Sequence, residues 1–340
     1  LLFMDGMCLE RSLLLRILQP TSHQPAFNLA MEEYLLKHKR GDYFLLWRNA
    51  PSIIVGRNQN TLAEVNLDYV REHDIPVIRR QTGGGAVFHD LGNINYTFLE
   101  EGAEGNFSNY AIYCQPIVEV LRDLGVPAEL SGRNDLCIDG KKFSGNAQCA
   151  WHGRMMHHGT LMFSANVSNL TQALNVNPLK IQSKGIKSVR SRVTNISEHL
   201  KHPMDIDQFC TLVLQKIMDR QPGCERYELT GEDNDAIQKL VEEKYGTWEW
   251  NFGFKKEYSF HKESIFSSGF FDIHMNIENN LIREIRIFGD YFGQGEVSEL
   301  EAALAGTCYD PKALGQKLDQ LDINHYFAGL SKEELLSAML

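Results

Sequence analysis

No CxxC pair occurs among the seven cysteines, at positions 8, 114, 137, 149, 210, 224 and 308. Their odd number and wide spacing argue against a disulfide framework and against a zinc site built from cysteine. A reducing cytoplasm fits that usage. No apolar run reaches the roughly 18 residues that a membrane-spanning helix needs. Positive charge is in short supply too: 34 Lys and Arg stand against 44 Asp and Glu, for a net charge of −10. That balance argues against nucleic acid as a partner. The acids Asp5 and Glu10, without a cationic start or a long apolar stretch, argue against a secretory signal. Internal repeats and low-complexity segments are absent, and so are both common phosphate-loop patterns, GxGxxG and GxxxxGK followed by Ser or Thr.

What is present is an ordinary globular composition, 43% hydrophobic and 23% charged, spread over 340 residues. That length exceeds one small core and predicts a large domain with a smaller one. Phe27, Ala30, Met31, Tyr34, Leu35 and His38 share one face of a helix. Tyr43–Trp47 and Ile53–Val55 read as strands. Asp68–His73 reads as a helix, and Ile75–Ile78 as a strand because Pro76 has no N–H for a helix. Ile94, Tyr96 and Phe98 alternate with Asn95 and Thr97, which predicts a strand. Ile117, Val120, Leu121 and Leu124 line a helix. Asp139-Gly140 is a two-residue hairpin turn, and Gly159–Phe163 is another strand. From about Tyr258 the pattern changes. Phe271, Ile273, Met275 and Ile277 alternate, Asn279-Asn280 turns, and Leu281–Phe288 returns. Helices follow near Ser298–Ala305 and Pro311–Leu321. The boundary falls within Trp250–Tyr258, dividing the chain into 1–252 and 253–340.

Between two of these strands runs Arg79-Arg80-Gln81-Thr82-Gly83-Gly84-Gly85-Ala86-Val87-Phe88-His89-Asp90. Three glycines let a backbone approach a ligand closely. Two cations beside them suggest an anion. The order is strand–glycines–strand, whereas the familiar phosphate loops run into a helix. Phosphate here would be held by backbone N–H groups and arginine. A tight turn with two solvated arginines accounts for the same residues.

The Asp139-Gly140 hairpin carries Lys141 and Lys142. Side chains alternate along a strand, so one lysine points inward and the other to water. An inward lysine needs an anionic partner, which a ligand carboxylate or phosphate could supply. Periodicity does not choose between the two, and a solvated pair is the bland alternative.

At these residues the chain resembles the lipoate–protein ligase A family in its two-domain bacterial form. The likeness runs from about Arg16 to the C-terminus. It is carried by Arg79–Asn93, Ser131–Leu136, Lys142-x-Ser144-Gly145-x-Ala147, His157-His158-Gly159-Thr160-Leu161 and Lys184–Asn195. Asn28-Leu29-Ala30 and Trp248–Gly253 fit as well. The resemblance implies an α+β fold: a mixed-sheet catalytic domain of biotin/lipoate ligase type and a small C-terminal α+β accessory domain. It implies a two-step reaction, in which lipoate and ATP form lipoyl-AMP and pyrophosphate and a carrier-domain lysine then takes the lipoyl group. It chooses Lys142 over Lys141 as the catalytic lysine. It gives Arg80, Gly85, Ala86, Val87, Phe88, Lys142, Lys184, Gly185 and Ser188 to ATP or the adenylate. Arg79, Gly84, Val87, Lys142 and His158 go to lipoate. Mg²⁺ is implied, with Asp135 as a candidate ligand. The implied partners are lipoyl domains of 2-oxoacid dehydrogenase E2 subunits and the glycine-cleavage H protein. A cytoplasmic monomer with neither nucleic acid nor membrane as partner completes the expectation.

Gln81 departs from the family pattern, where a small Ser is frequent. The run Lys180, Lys184, Lys187, Arg190, Arg192 contains no acid and reads either as a solvated face or as a loop closing on the adenylate. A related transferase would need a placed cysteine nucleophile. In one such branch it lies three positions before the histidine of the His-Gly pair, where this chain has Met155. Cys149 is the remaining candidate. A non-catalytic lipoyl-domain-binding protein and a biotin ligase are further readings. Lys142, Arg80 and the adenylate loop together speak against the first, and the different order of the biotin ligase glycine–arginine motif speaks against the second.

Overall fold

The run Tyr43-Phe44-Leu45-Leu46-Trp47 has no polar side, so a strand made from it must be covered on both faces. In the computed structural model, which describes residues 14–166, 172–175, 192–221, 223–253 and 257–340, it is. The first half of the chain runs β1 (Leu15–Leu18), α1 (Pro25–His38), β2 (Asp42–Trp47), β3 (Ser52–Val55), α2 (Thr61–Glu64), α3 (Leu67–Glu72), β4 (Val77–Arg79), β5 (Val87–His89) and β6 (Asn93–Glu101). Next come α4 (Tyr110–Asp123), β7 (Ala128–Ser131), β8 (Asp135–Ile138), β9 (Lys141–Trp151) and β10 (Arg154–Met162). Then follow α5 (Ile206–Arg220), β11 (Glu225–Arg226), α6 (Gly231–Leu240) and α7 (Trp248–Asn251).

Eight strands form one mixed sheet in the order β11-β1-β2-β6-β10-β9-β8-β7. Strands β11, β1 and β2 are parallel, and the other pairings are antiparallel. Phe44 and Leu46 pack on one face with Leu121 of α4 and Val213 of α5. Tyr43, Leu45 and Trp47 pack on the other with Leu29 and Leu35 of α1. Arg154 donates from Nη1 to the carbonyls of Leu35 and Leu36, both at 2.7 Å, and so closes the C-terminal end of α1. A second sheet, β4-β3-β5, sits apart over a core that includes Ile53, Val55 and Val70.

The remaining chain gives β12 (Phe260–Phe266), β13 (Gly269–Glu278), β14 (Leu281–Gly289), α8 (Val297–Leu304), α9 (Pro311–Leu318), α10 (Ile323–Tyr326) and α11 (Lys332–Met339). The three strands form an antiparallel meander. Phe271, Ile273 and Met275 pack with Leu300, Leu314 and Leu335 into a separate apolar cluster.

The hairpin turns are as read. Asp139 and Gly140 have φ of 50° and 74°, and Asn279 and Asn280 have 51° and 60°, the left-handed pair a two-residue turn requires. The strand expected at Ile75–Ile78 begins later, at Val77. Strand β6 alternates as expected, yet its polar side is not in water: Asn95 and Thr97 are buried. Among the described residues no helix is long and apolar enough to cross a membrane.

Candidate active site

Strands β4 and β5 flank β3, one parallel and one antiparallel, so the segment between them must cross the end of β3. That crossing is the glycine segment. Its two arginines point inward to carbonyls. Arg79 donates through Nη1 to the carbonyls of Gly56 (3.0 Å), Arg57 (2.8 Å) and Gln59 (2.7 Å), and through Nε to that of Trp250 (2.8 Å). Arg80 donates to the carbonyls of Gly83 at 2.7 Å and Gly85 at 3.0 Å, and through Nε to the Thr82 hydroxyl at 3.0 Å. Burial pulls both guanidinium groups down to about 10; Arg57 adds to it at Arg79, while at Arg80 the Glu32 carboxylate opposes it and Arg79 adds to it. The loop is thus held in shape from behind by a buried cation. Gly84 has φ 93°, and a Cβ there would lie 3.0 Å from Arg80 Nη2 and from the Phe292 ring.

Three cavities meet at this loop, and Val87 and Lys142 line all of them. The first, about 110 Å³, has apolar walls from Leu29, Trp47, Ile54, Val87 and Ala147, with Arg80, Gly84, Gly85 and His158 beside them. The second, about 540 Å³, opens between Gly84–Val87, Arg133, Asn134, Asp135 and Lys142 on one side and Phe266, Phe270, Asp290 and Phe292 of the C-terminal unit on the other. The third, about 220 Å³, takes in Ala86, Phe88, Ser144 and Val193.

Pleating resolves the two lysines: Lys141 is exposed, and Lys142 turns toward the cavities. Lys142 Nζ sits 2.6 Å from Asp135 Oδ1, both groups half-exposed. The Phe292 ring roofs the wide cavity, with the Arg133 guanidinium 4.5 Å over its centroid.

A chain of hydrogen bonds that ends on a carboxylate lies under the apolar cavity. Thr82 Oγ1 accepts from Arg80 Nε–H and also pairs with His158 Nε2 at 2.8 Å. His158 Nδ1–H then donates to buried Glu32 at 3.0 Å. From the other side Trp47 Nε1 donates to Thr97 Oγ1 at 3.0 Å, and Thr97 to the same carboxylate oxygen at 2.5 Å. Both His158 nitrogens are therefore occupied.

His89 behaves differently. Asn28 Nδ2 donates to Asn49 Oδ1 at 3.0 Å, which turns the Asn49 amide nitrogen toward His89 Nδ1, 3.1 Å away. Nδ1 must accept, so the proton is on Nε2. His89 lines the apolar cavity, and its buried Nε2 has no hydrogen-bond partner among the described residues. Asn95 Nδ2 is in the same condition on the same wall. Burial, helped by Arg80 and His158, pulls His89 down to about 3 and keeps it neutral.

Of the residues singled out in the sequence, Arg80, Gly84, Gly85, Val87, Lys142 and His158 meet at the first cavity. Ala86 and Asp135 line the second, and Phe88 the third. Arg79 lines none of these three. Lys184, Gly185 and Ser188 lie outside the described residues, as do Lys180, Lys187 and Arg190 of the basic run. Gln81 points away from the apolar cavity, into a network of Glu33 and Tyr245, whose hydroxyl is 3.0 Å from Gln81 Nε2. Trp47, Asn95, Arg133, Phe292 and Glu32 went unread as site residues. Two adjacent acids, Glu32-Glu33, in an otherwise apolar stretch of helix were the one usable signal; nothing in the sequence marks Phe292.

Residues 24–218 match the family model described as the lipoyl protein ligase A/B catalytic domain, and 255–339 match that of the bacterial lipoate protein ligase C-terminus. A lipoate–protein ligase of Staphylococcus aureus is 45% identical over 93% of this chain and 96% of its own length. One from Bacillus subtilis is 42% identical over 92% and 96%. Among solved structures, a P. falciparum protein in complex with lipoate superposes with a TM-score of 0.79, covering 95% of this chain and 98% of that one at 24% identity, a likeness of fold. A lipoate–protein ligase A bound with ATP gives 0.60 at 26% identity, covering 71% and 98%.

Proposed function

This chain belongs to the lipoate–protein ligase A family, and we propose that it activates lipoate with ATP and passes the lipoyl group to lipoyl carrier domains. One observation carries the reading: Lys142 and Val87 lie on the wall shared by an apolar cavity and a wide polar one. A fatty-acid-like tail suits the first, and a nucleotide suits the second.

In this reading the acyl chain lies between Trp47, Ile54 and Val87, and its carboxylate reaches Lys142. The triphosphate lies along Gly84–Val87, where backbone N–H groups and the Arg133 and Lys142 side chains face it. A carboxylate oxygen attacks the α-phosphorus, and the bond to pyrophosphate breaks. Two anions meet in that step, so a fixed ammonium between them lowers the barrier. Arg80 acts at one remove, holding the loop carbonyls back so that the N–H groups face outward. The acceptor lysine amine then attacks the acyl carbon, and AMP leaves. His89 Nε2–H and Asn95 Nδ2 offer unspent donors to the lipoyl moiety. His158 orients the pocket wall through Glu32.

Asp135 and Asp290, both on the wide cavity, fit the one or two carboxylates with which Mg²⁺ binds alongside phosphate oxygens. Bound there, the ion would offset phosphate charge. The acceptors proposed are E2 lipoyl domains and the glycine-cleavage H protein, and the enzyme is proposed to work as a cytoplasmic monomer. The six described cysteines, all unpaired, suit a reducing compartment. A division into units 1–252 and 253–340 agrees with the separate apolar cluster of the C-terminal sheet.

The transferase reading requires a reactive thiol. Burial pushes Cys149 up to about 12, and its cavity is a different one, with Arg57 and Trp151. The test is an incubation with lipoate, Mg-ATP and an apo lipoyl domain, read by mass spectrometry. One added lipoyl group, dependent on ATP, is expected. Modification without ATP from a lipoylated donor would overturn the ligase reading.

A further inference from the structure

On the C-terminal sheet, away from the cavities around Lys142, three potential ligands converge: His261 on β12, and Asp272 and His274 on β13. Register explains the meeting. His261 and His274 are cross-strand partners, and Asp272 stands two residues before His274, on the same side of the sheet. The two imidazole rings stack with centroids 4.4 Å apart. His261 Nε2 hydrogen-bonds Asp272 Oδ1 at 2.7 Å. His274 Nε2 lies 2.8 Å from the same oxygen, but off line; that buried nitrogen makes no hydrogen bond among the described residues. One carboxylate oxygen therefore faces two imidazole nitrogens and satisfies only one.

We propose that His261, Asp272 and His274 form a site for a divalent cation of the zinc type. Two imidazole nitrogens, a carboxylate oxygen and one outer position for water are a set zinc accepts. Its bonds of about 2.0–2.2 Å place tetrahedral ligand atoms roughly 3.4 Å apart. The three ligand atoms already lie within 4.8 Å of one another. The side chains need only part slightly to admit the ion. His261 is half-exposed, which gives the ion a way in. The Phe288 and His274 rings meet edge-to-face with centroids 5.5 Å apart, a contact that restrains the imidazole. Arg286 stands opposite His274, but its guanidinium is held at 2.7 Å by Glu301, so its charge is met by a carboxylate. The bound ion would clamp β12, the outer strand, to the middle of the sheet.

The test uses the full chain without a histidine tag, titrated with Co²⁺ and then Zn²⁺. One Co²⁺ per chain is expected, with visible absorption of a nitrogen–oxygen environment and no thiolate charge transfer. Zn²⁺ should displace it and raise the melting temperature. His274→Gln and His261→Gln should each weaken binding by about 100-fold or more, beyond the usual loss for a residue supporting a ligand. His261→Gln changes a half-exposed residue on an outer strand, so its metal-free melting should match the parent. Absence of stoichiometric binding, full affinity in the His261 variant, or a thiolate band would each overturn the site.

Discussion

Lys142 is the cation that the three cavities share, and Cys149 is a shielded thiol on the same strand. Lys142→Ala should lower pyrophosphate release by at least about 100-fold, the scale of losing a placed transition-state charge. Cys149→Ala should leave it within about twofold, because its thiol stays protonated at neutral pH. Equal loss in both would sink the assignment. Beneath them, the Glu33 carboxylate takes Lys37 at 2.7 Å, Lys244 at 2.8 Å and the Tyr245 hydroxyl at 2.7 Å. Burial alone would raise this carboxyl; the two lysines and Tyr245 outweigh it and hold it below the usual glutamate range. Its contribution to stability is thus full above that range and fades as pH falls through the lowered folded value. Glu33→Gln should destabilise by about 3 kcal/mol at neutral pH by leaving Lys244 unpaired, and should flatten the acid limb of the stability curve. Denaturant melts across that range decide it. His89→Phe keeps a ring and removes a donor. An increase of about tenfold in KM for lipoate is expected, with kcat less affected, the worth of one hydrogen bond to a buried donor.

At the scale of elements, the glycine crossing tests the reading best. Gly84→Ala should cost at least about 1 kcal/mol, because the residue is left-handed and crowded by Arg80 and Phe292. Calorimetry should show it, together with weaker ATP binding. The strand–glycine–strand order was plain in the sequence because Val77, Ile78, Val87 and Phe88 are bounded by turn residues. The direction of the arginines was not. Alternation says that neighbours face opposite ways, and nothing local tells Arg79 that carbonyls of Gly56, Arg57 and Gln59 will surround it. The same limit hid Asn95 and Thr97. Their alternation with Ile94 and Tyr96 fits a strand with one wet face, yet α1 covers that face and uses the polar groups to build the site. Strand β12 escaped notice for another reason: His261, Lys262 and Glu263 give it no apolar period. Helix α5 had a legible start, the capping box of Asp205 and Gln208, which went unread.

Across the whole molecule, the C-terminal unit docks on the loop. The Arg57 guanidinium pairs with Glu296, and Gly289 N–H donates to the Asn58 carbonyl at 2.8 Å. Gly83 leaves room for the backbone of Tyr291, which a Cβ would overlap. A half-exposed ion pair is worth less than about 1 kcal/mol. Glu296→Gln should therefore shift the docked population by no more than about fivefold, and Gly83→Ala by more. Small-angle scattering with and without the adenylate reads that equilibrium. An unchanged domain arrangement in all states would count against movement of the C-terminal unit during the reaction. The change of pattern near Tyr258 was visible in the sequence. The docking was not, because it depends on Phe292 and Tyr291 meeting glycines more than two hundred residues away.

The two guanidinium groups behind the loop have a wider consequence. Carbonyl oxygens satisfy their hydrogens but cancel no charge; Glu32 offsets part of the charge on Arg80, and the rest of the positive charge on Arg79 and Arg80 stands behind the loop of an otherwise acidic protein. Such a field gathers anions from solution and fades as mobile ions screen it, over about 10 Å at 0.1 M salt. Capture of ATP should then slow with rising ionic strength more than the chemistry does, and sulfate should compete with nucleotide. Rates of ATP association measured over a salt series would show whether these buried charges act as the protein's collector for phosphate.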